Sequence, residues 1–321
     1  MPYDESVPPT RRRRTPTAAA VLAAVCLLGA AGCGTGEAGG EGSGAAAGPG
    51  PGGSASATAP PSATAPPSSP AAHTSPPKAP PRKTASASAP PPAGTASGPL
   101  SGRTVVIDPG HNPDNHLHTR EINRQVDIGT TRKECDTTGT STNSGYAEAR
   151  FTLDVAHRLR TLLRAQGAKV VLTYDDDRAF GPCVDERARI GNQARADAVV
   201  SVHADGSAVG NRGFHVIVPG PVRGGAADTS KIVAPSRDLG TRIAGLFVRA
   251  TGSAPSNYIG GNTGLDTRKD LGGLNLSTVP KVFIECGNMR DPKDAALLTS
   301  AGWRQKAAQG IADGIGSFLN G

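Results

Sequence analysis

Apolar residues recur every four positions at Ala147, Phe151, Val155, Leu159 and Leu163, with Leu162 alongside. This spacing predicts an amphipathic helix near 146–166 whose apolar stripe faces a sheet. Gly167 stands where a helix stop is expected. Short β-branched runs alternate with further helical periods on both sides of it. Strands are expected at 104–107, 169–173, 198–202, 214–218 and 281–284, and helices near 184–195, 236–251 and 302–319. The alternation defines an α/β fold, a single domain over 101–321 with a mostly parallel central sheet flanked by helices, preceded by a disordered tail.

The periodic pattern is missing from the first 100 residues, which hold 19 of the 28 prolines and one of the eleven aromatics, Tyr3. Residues 34–100, rich in Pro, Gly, Ala, Ser and Thr, bury too little apolar surface to offset chain entropy and read as a disordered linker. Ahead of it, Arg11 to Arg14 and the apolar stretch Ala18 to Ala30 have the order of an export signal, and the stretch is too short for an ordinary membrane span. Ala30-Ala31-Gly32-Cys33 resembles the lipobox of bacterial lipoproteins, with Ala30 where Leu is usual. Residues 1–33 are therefore expected to be an export signal with Cys33 lipidated, and plain signal cleavage is the alternative. The linker would then tether the domain to the outer face of the cytoplasmic membrane, with a coil reach of about 45 Å. Without the lipid the protein would be secreted.

The chain carries 34 Lys/Arg against 27 Asp/Glu, a net charge of +7. Seven of those bases and four of the acids lie in the first 100 residues, which leaves +4 on the remainder. So mild an excess favours attraction to an anionic polymer and excludes a dedicated nucleic-acid binder with a dense basic stripe. Outside the signal and the lipobox the cysteines are Cys135, Cys183 and Cys286. In an exported chain a Cys135–Cys183 disulfide is expected, with Cys286 a buried free thiol; three reduced thiols are the alternative.

Three apolar strands run into residues that handle protons or metals. Val105-Val106-Ile107 leads through Asp108-Pro109-Gly110 to His111, Val199-Val200-Ser201-Val202 to His203, and Val282-Phe283-Ile284 to Glu285. Ligands bind outside the carboxyl ends of strands in open parallel sheets, so these three can converge although distant in sequence. Glu148, in the first turn of the stripe helix, is a fourth candidate. Two imidazoles and one carboxylate make a three-ligand zinc set with a position left for water, and the remaining carboxylate can be the base.

The segments Val-Val-Ile-Asp-Pro-Gly-His (105 to 111), Ser-Val-His-Ala-Asp (201 to 205) and Val-Phe-Ile-Glu-Cys-Gly-Asn (282 to 288) resemble the signature segments of the zinc-dependent N-acetylmuramoyl-L-alanine amidases of the amidase-3 family. They occur in the family's order, and Asn143-Ser-Gly-Tyr-Ala-Glu148 matches its remaining ligand position. The resemblance covers 103–319 and is nearest to the exported actinobacterial branch, given Gly-Pro-Cys-Val-Asp-Glu-Arg at 181 to 187. It implies that His111, Glu148 and His203 bind Zn2+ and that Glu285 is the catalytic carboxylate. It also implies that the substrate is peptidoglycan, cut between N-acetylmuramic acid and L-alanine. Asn288 departs from the bulky apolar residue of many members, which bears on specificity. Some members carry a helical plug after the second zinc histidine; 206–213 is too short for one, and 219–235 is Gly/Pro-rich without helical period.

The 36 residues between His111 and Glu148 form a long connection without a clear periodic pattern, a length typical of lids. Segment 112–147 is expected to lie over the metal site and gate it. Arg268 and Asn275 are candidates for contacting stem-peptide carboxylates, Arg through its bidentate fork. Asp108 is a candidate to orient His111. His116, His118, His157 and His215 read as solvated or packing histidines. Two other functions remain open: a zinc peptidase cutting within the stem peptide, and a non-catalytic peptidoglycan-binding lipoprotein. No sequence feature identifies a protein activator.

Overall fold

The computed structural model describes residues 98–321. The export signal, Cys33 and the linker up to 97 lie outside the described residues. Leu100 is fully buried in the main core and its N–H donates to the Gln166 carbonyl, so packing begins slightly before the expected boundary at 101.

In chain order the elements are β1 (Thr104–Pro109), α1 (Thr119–Ile122), β2 (Gln125–Asp127), β3 (Arg132–Glu134), α2 (Glu148–Ala165), β4 (Lys169–Leu172) and α3 (Val184–Gln193). There follow β5 (Ala198–Asp205), β6 (His215–Pro219), β7 (Arg223–Gly224), β8 (Ala227–Asp228) and α4 (Val233–Thr251). The last are β9 (Leu265–Arg268), α5 (Gly272–Asn275), β10 (Lys281–Asn288), α6 (Pro292–Leu298) and α7 (Ala301–Asn320). Helix α4 starts three residues earlier than expected and holds Pro235 in its first turn, where a missing N–H costs nothing.

The main sheet has the order β4-β1-β5-β10-β6-β9. Strands β4, β1, β5 and β10 are mutually parallel, and β6 runs antiparallel to β10 and parallel to β9. Successive side chains in a strand point to opposite faces, and here the two faces differ in chemistry. Val105, Ile107, Val200, Val202, Val216, Val282 and Ile284 pack with Phe151, Val155 and Leu159 of α2, Ile243 and Phe247 of α4, and Ile311 and Ile315 of α7. Each such side chain withdrawn from water contributes about 1.5–3 kcal/mol. The other positions of the same strands carry Asp108, Ser201, His203, Asp205, His215, Lys281, Phe283 and Glu285. This second face meets α3 and α5, with Val106 and Val199 in a small cluster beside Ala194, Ala196 and Val279.

Strands β5 and β10 continue past the apolar runs, to Asp205 and Asn288. His203 and Glu285 therefore sit within strands rather than just beyond their ends, which corrects the expected boundaries. The apolar runs stop early because only one face of these strands remains apolar. Segment 112–147 is also more regular than expected: it contains α1 and the β2–β3 hairpin. Among the described residues no helix lies between β5 and β6, and β7 and β8 pair as a small hairpin before α4.

Candidate active site

Four elements deliver the polar cluster. His111 follows β1, Glu148 opens α2, His203 lies on β5 and Glu285 on β10. Oε1 of Glu148 is 3.0 Å from His203 Nδ1 and 3.2 Å from His111 Nε2. The potential ligand atoms of the three residues all lie within 4.8 Å of one another. Oε1 also accepts the Ala204 N–H at 3.2 Å, and Oε2 accepts that of Thr140 at 2.9 Å. Glu148 is the first residue of α2, where the helix end favours a carboxylate.

Two glycines make room for this approach. A Cβ on Gly110 would overlap the His203 ring. Gly139, at φ +71°, faces both His111 and Glu148, and a Cβ there would come within 2.7 Å of His111 Cδ2. His203 stacks on Phe283, with ring centroids 5.2 Å apart and planes inclined by 16°.

Glu285 is the direct neighbour of His203 across the parallel β10–β5 pair and of His215 across the antiparallel β10–β6 pair. Its Oε2 is buried without a hydrogen-bond partner. Burial, and then the nearby Glu148 and Asp205 carboxylates, raise the Glu285 carboxyl well above the usual carboxylate range. Glu148 moves the other way, because the His111 and His203 imidazoles outweigh its burial.

The donor set and its surroundings fit a zinc ion: two imidazoles, one carboxylate, and a second nitrogen on His111 already engaged by protein oxygens. His111 Nδ1 is 3.1 Å from the Thr137 carbonyl and 3.5 Å from Asp136 Oδ1. Such backing fixes the ring and leaves the opposite nitrogen free to bind. Asp108, expected to orient His111, instead contacts Thr173, Arg187, Ser201 and Lys281. Asp136 and Thr137 take that place; their only signal in the sequence was adjacency to Cys135.

Cys135 and Cys183 form a disulfide, and Cys286 is buried with a free thiol. Lys133, Glu134, Asp136 and Thr137 wall a cavity next to His111 and His203, opposite Leu271, Gly272 and Gly273. The long connection therefore lines the site. Arg268 pairs with Asp270 through contacts of 2.8 and 2.6 Å. Asn275 is 1% exposed, and its amide donates to the Lys269 carbonyl inside the β9–α5 turn rather than facing a groove. His116 bonds the Pro113 carbonyl, His118 lies beside Phe180, His157 pairs with Asp175, and His215 is buried in β6. None of these joins the three-residue cluster.

An open, mainly parallel sheet that brings a His–Glu–His cluster and a second carboxylate, Glu285, together over its central strands β1, β5 and β10 is an arrangement suited to metal-assisted hydrolysis. A family model described as N-acetylmuramoyl-L-alanine amidase, amidase-3, matches residues 105–317, and the chain belongs to that family. It is 43% identical over 221 residues to the N-acetylmuramoyl-L-alanine amidase Rv3717 of Mycobacterium tuberculosis, covering 68% of this chain and 88% of that one. The crystal structure of the amidase Ami1 from Mycobacterium smegmatis aligns with a TM-score of 0.62 at 41% identity, over 68% of this chain and 98% of the other. Apo Ami1 from Mycobacterium abscessus aligns with a TM-score of 0.63 at 40% identity, over 68% of this chain and all of the other. These relatives place the chain in the actinobacterial branch of a family that is typically zinc-dependent.

Proposed function

We propose that the protein hydrolyses the amide between the lactyl group of N-acetylmuramic acid and L-alanine in peptidoglycan, with His111, Glu148 and His203 holding zinc and Glu285 as general base and acid. The observation that carries this reading is the convergence of three potential ligand atoms within 4.8 Å, with Glu285 the direct cross-strand partner of one of their residues, His203. The chemistry zinc supplies in such a site is Lewis acidity, which brings the pKa of water toward about 7 and polarises a carbonyl. Glu285 takes the proton of the attacking water as its oxygen bonds to the carbonyl carbon. When the C–N bond breaks, Glu285 returns the proton to the departing L-alanine amine. Its half-buried position beside His203, with Oε2 not engaged by any protein group, suits a group that must accept and then release a proton.

The same reading takes residues 1–33 as an export signal, Cys33 as a lipidated anchor and the following linker as a tether reaching into the wall. Arg268, whose guanidinium pairs with Asp270 on the exposed side of the β9–α5 turn, is retained in this reading as a contact for stem-peptide carboxylates.

Mass spectrometry of a defined muropeptide digested by residues 98–321 tests the reaction. An intact stem peptide with a free L-alanine amine is expected. A cut inside the stem would replace this reading with a peptidase, and binding without products would replace it with a non-catalytic wall-binding protein.

A further inference from the structure

We propose that Arg187 is the positioning residue of the metal site, and that it sets His111 through both its backbone and its imidazole. The proposal rests on the zinc reading above. Arg187 lies on α3, one helical turn after Cys183, and is 5% exposed. Nε donates to the Pro182 carbonyl at 2.8 Å. Nη1 donates to Asp108 Oδ1 at 2.9 Å and to the Pro109 carbonyl. Nη2 donates to the His111 carbonyl at 2.9 Å and to Asp136 Oδ2 at 3.0 Å. The planar fork is thus fully occupied, and no water is needed to satisfy it.

Two of the three carbonyls it grips, those of Pro109 and His111, flank Gly110. His111 has φ +63°, a left-handed conformation that a residue with a Cβ adopts only when its surroundings hold it there. Arg187 supplies that hold from the backbone side. From the side-chain side it fixes Asp136, whose other oxygen is 3.5 Å from His111 Nδ1, next to the Thr137 carbonyl at 3.1 Å. With Nδ1 directed at those oxygens, Nε2 points toward Glu148. One guanidinium therefore controls where the ring sits and which nitrogen faces the cluster.

The rest of the face completes the clamp. Lys281 Nζ is 2.9 Å from Asp108 Oδ2, so two cations and two carboxylates form a buried set of zero net charge. The Cys135–Cys183 disulfide joins the residue before Asp136 to the residue that precedes α3. The disulfide thus ties together the two segments that carry Asp136 and Arg187, and the ion pair joins the residues themselves.

The zinc dissociation constants of the wild type, Arg187→Lys and Asp136→Asn, measured by competition with a chromophoric chelator, test the proposal. The visible spectra of the cobalt-loaded proteins and the melting temperatures of the metal-free proteins are recorded alongside. Lysine keeps the charge but cannot span both carbonyls and both carboxylates. Arg187→Lys should weaken zinc binding about 10- to 100-fold and change the cobalt bands. Asp136→Asn leaves the Arg187 contacts to Asp108 and to the Pro109 and His111 carbonyls intact, so it tests the imidazole arm of the proposal on its own, also where Arg187→Lys does not fold; a loss of about tenfold is expected. Wild-type affinity and spectrum in the folded variants would overturn the positioning role alone. A wild type that binds no zinc would overturn the zinc reading, and this inference with it.

Discussion

Glu285 and His203 are direct partners across the parallel β10–β5 pair, on the polar face of a sheet whose other face is the apolar core. The pairing puts the proposed base beside a proposed zinc ligand without making it part of the three-residue cluster. Replacing Glu285 should therefore separate chemistry from metal binding. Glu285→Gln is expected to lower kcat about 10²- to 10⁴-fold while zinc affinity stays near the wild-type value. Retention of full kcat would remove Glu285 from the reaction.

Gly110 tests whether the His203 imidazole needs its close approach to the β1 turn. A methyl group there overlaps the His203 ring. Gly110→Ala should therefore displace the ring and cost most of the activity and zinc affinity, with the circular dichroism spectrum retained. Unchanged zinc binding would mean that His203 can bind from another rotamer.

Much of this was legible in the sequence, for identifiable reasons. The four-residue stripe of α2 and the β-branched runs depend on local periodicity, and each appears close to its expected place. His111, His203 and Glu285 stood out because each interrupts or follows an apolar run. The alternation that makes one sheet face polar was hidden, since Val199-Val200-Ser201-Val202 looks apolar throughout while Ser201 turns toward Asp108. Asp136, Arg187 and Lys281 were not legible as site residues. Their roles come from contacts spanning 51 to 173 residues of chain, which no local pattern records. The position of Asn275 between a helix and the last strand suggests a groove residue, whereas the β9–α5 turn buries its side chain.

The disulfide closes a loop between residues 48 apart in sequence. Chain-entropy reasoning gives such a cross-link about 4 kcal/mol, equivalent to a Tm difference of roughly 10 °C for a domain of this size. A Cys135→Ser, Cys183→Ser double variant should melt lower by that order in calorimetry. An identical Tm would show that the hairpin segment is held by its noncovalent contacts alone.

Asp108 predicts the acid limb of stability. Burial would raise its pKa, but Lys281 and Arg187 together hold it well below its ordinary value of 3.8. A carboxylate depressed in this way stabilises the fold above its unfolded pKa, and the contribution is lost as pH falls below about 4. The Tm of the metal-free domain should decline through that range. Asp108→Asn should be less stable at neutral pH and show a shallower decline; a decline as steep as that of the wild type would assign the acid limb to other groups.

The most direct test of the central claim is a zinc titration of chelator-stripped protein while release of L-alanine-terminated stem peptide is recorded. Activity should be absent at the start, rise with added zinc and level off at one equivalent, and His203→Ala should stay inactive throughout. Full activity in the stripped protein, or saturation unaffected by loss of His203, would contradict a hydrolase built on His111, Glu148 and His203.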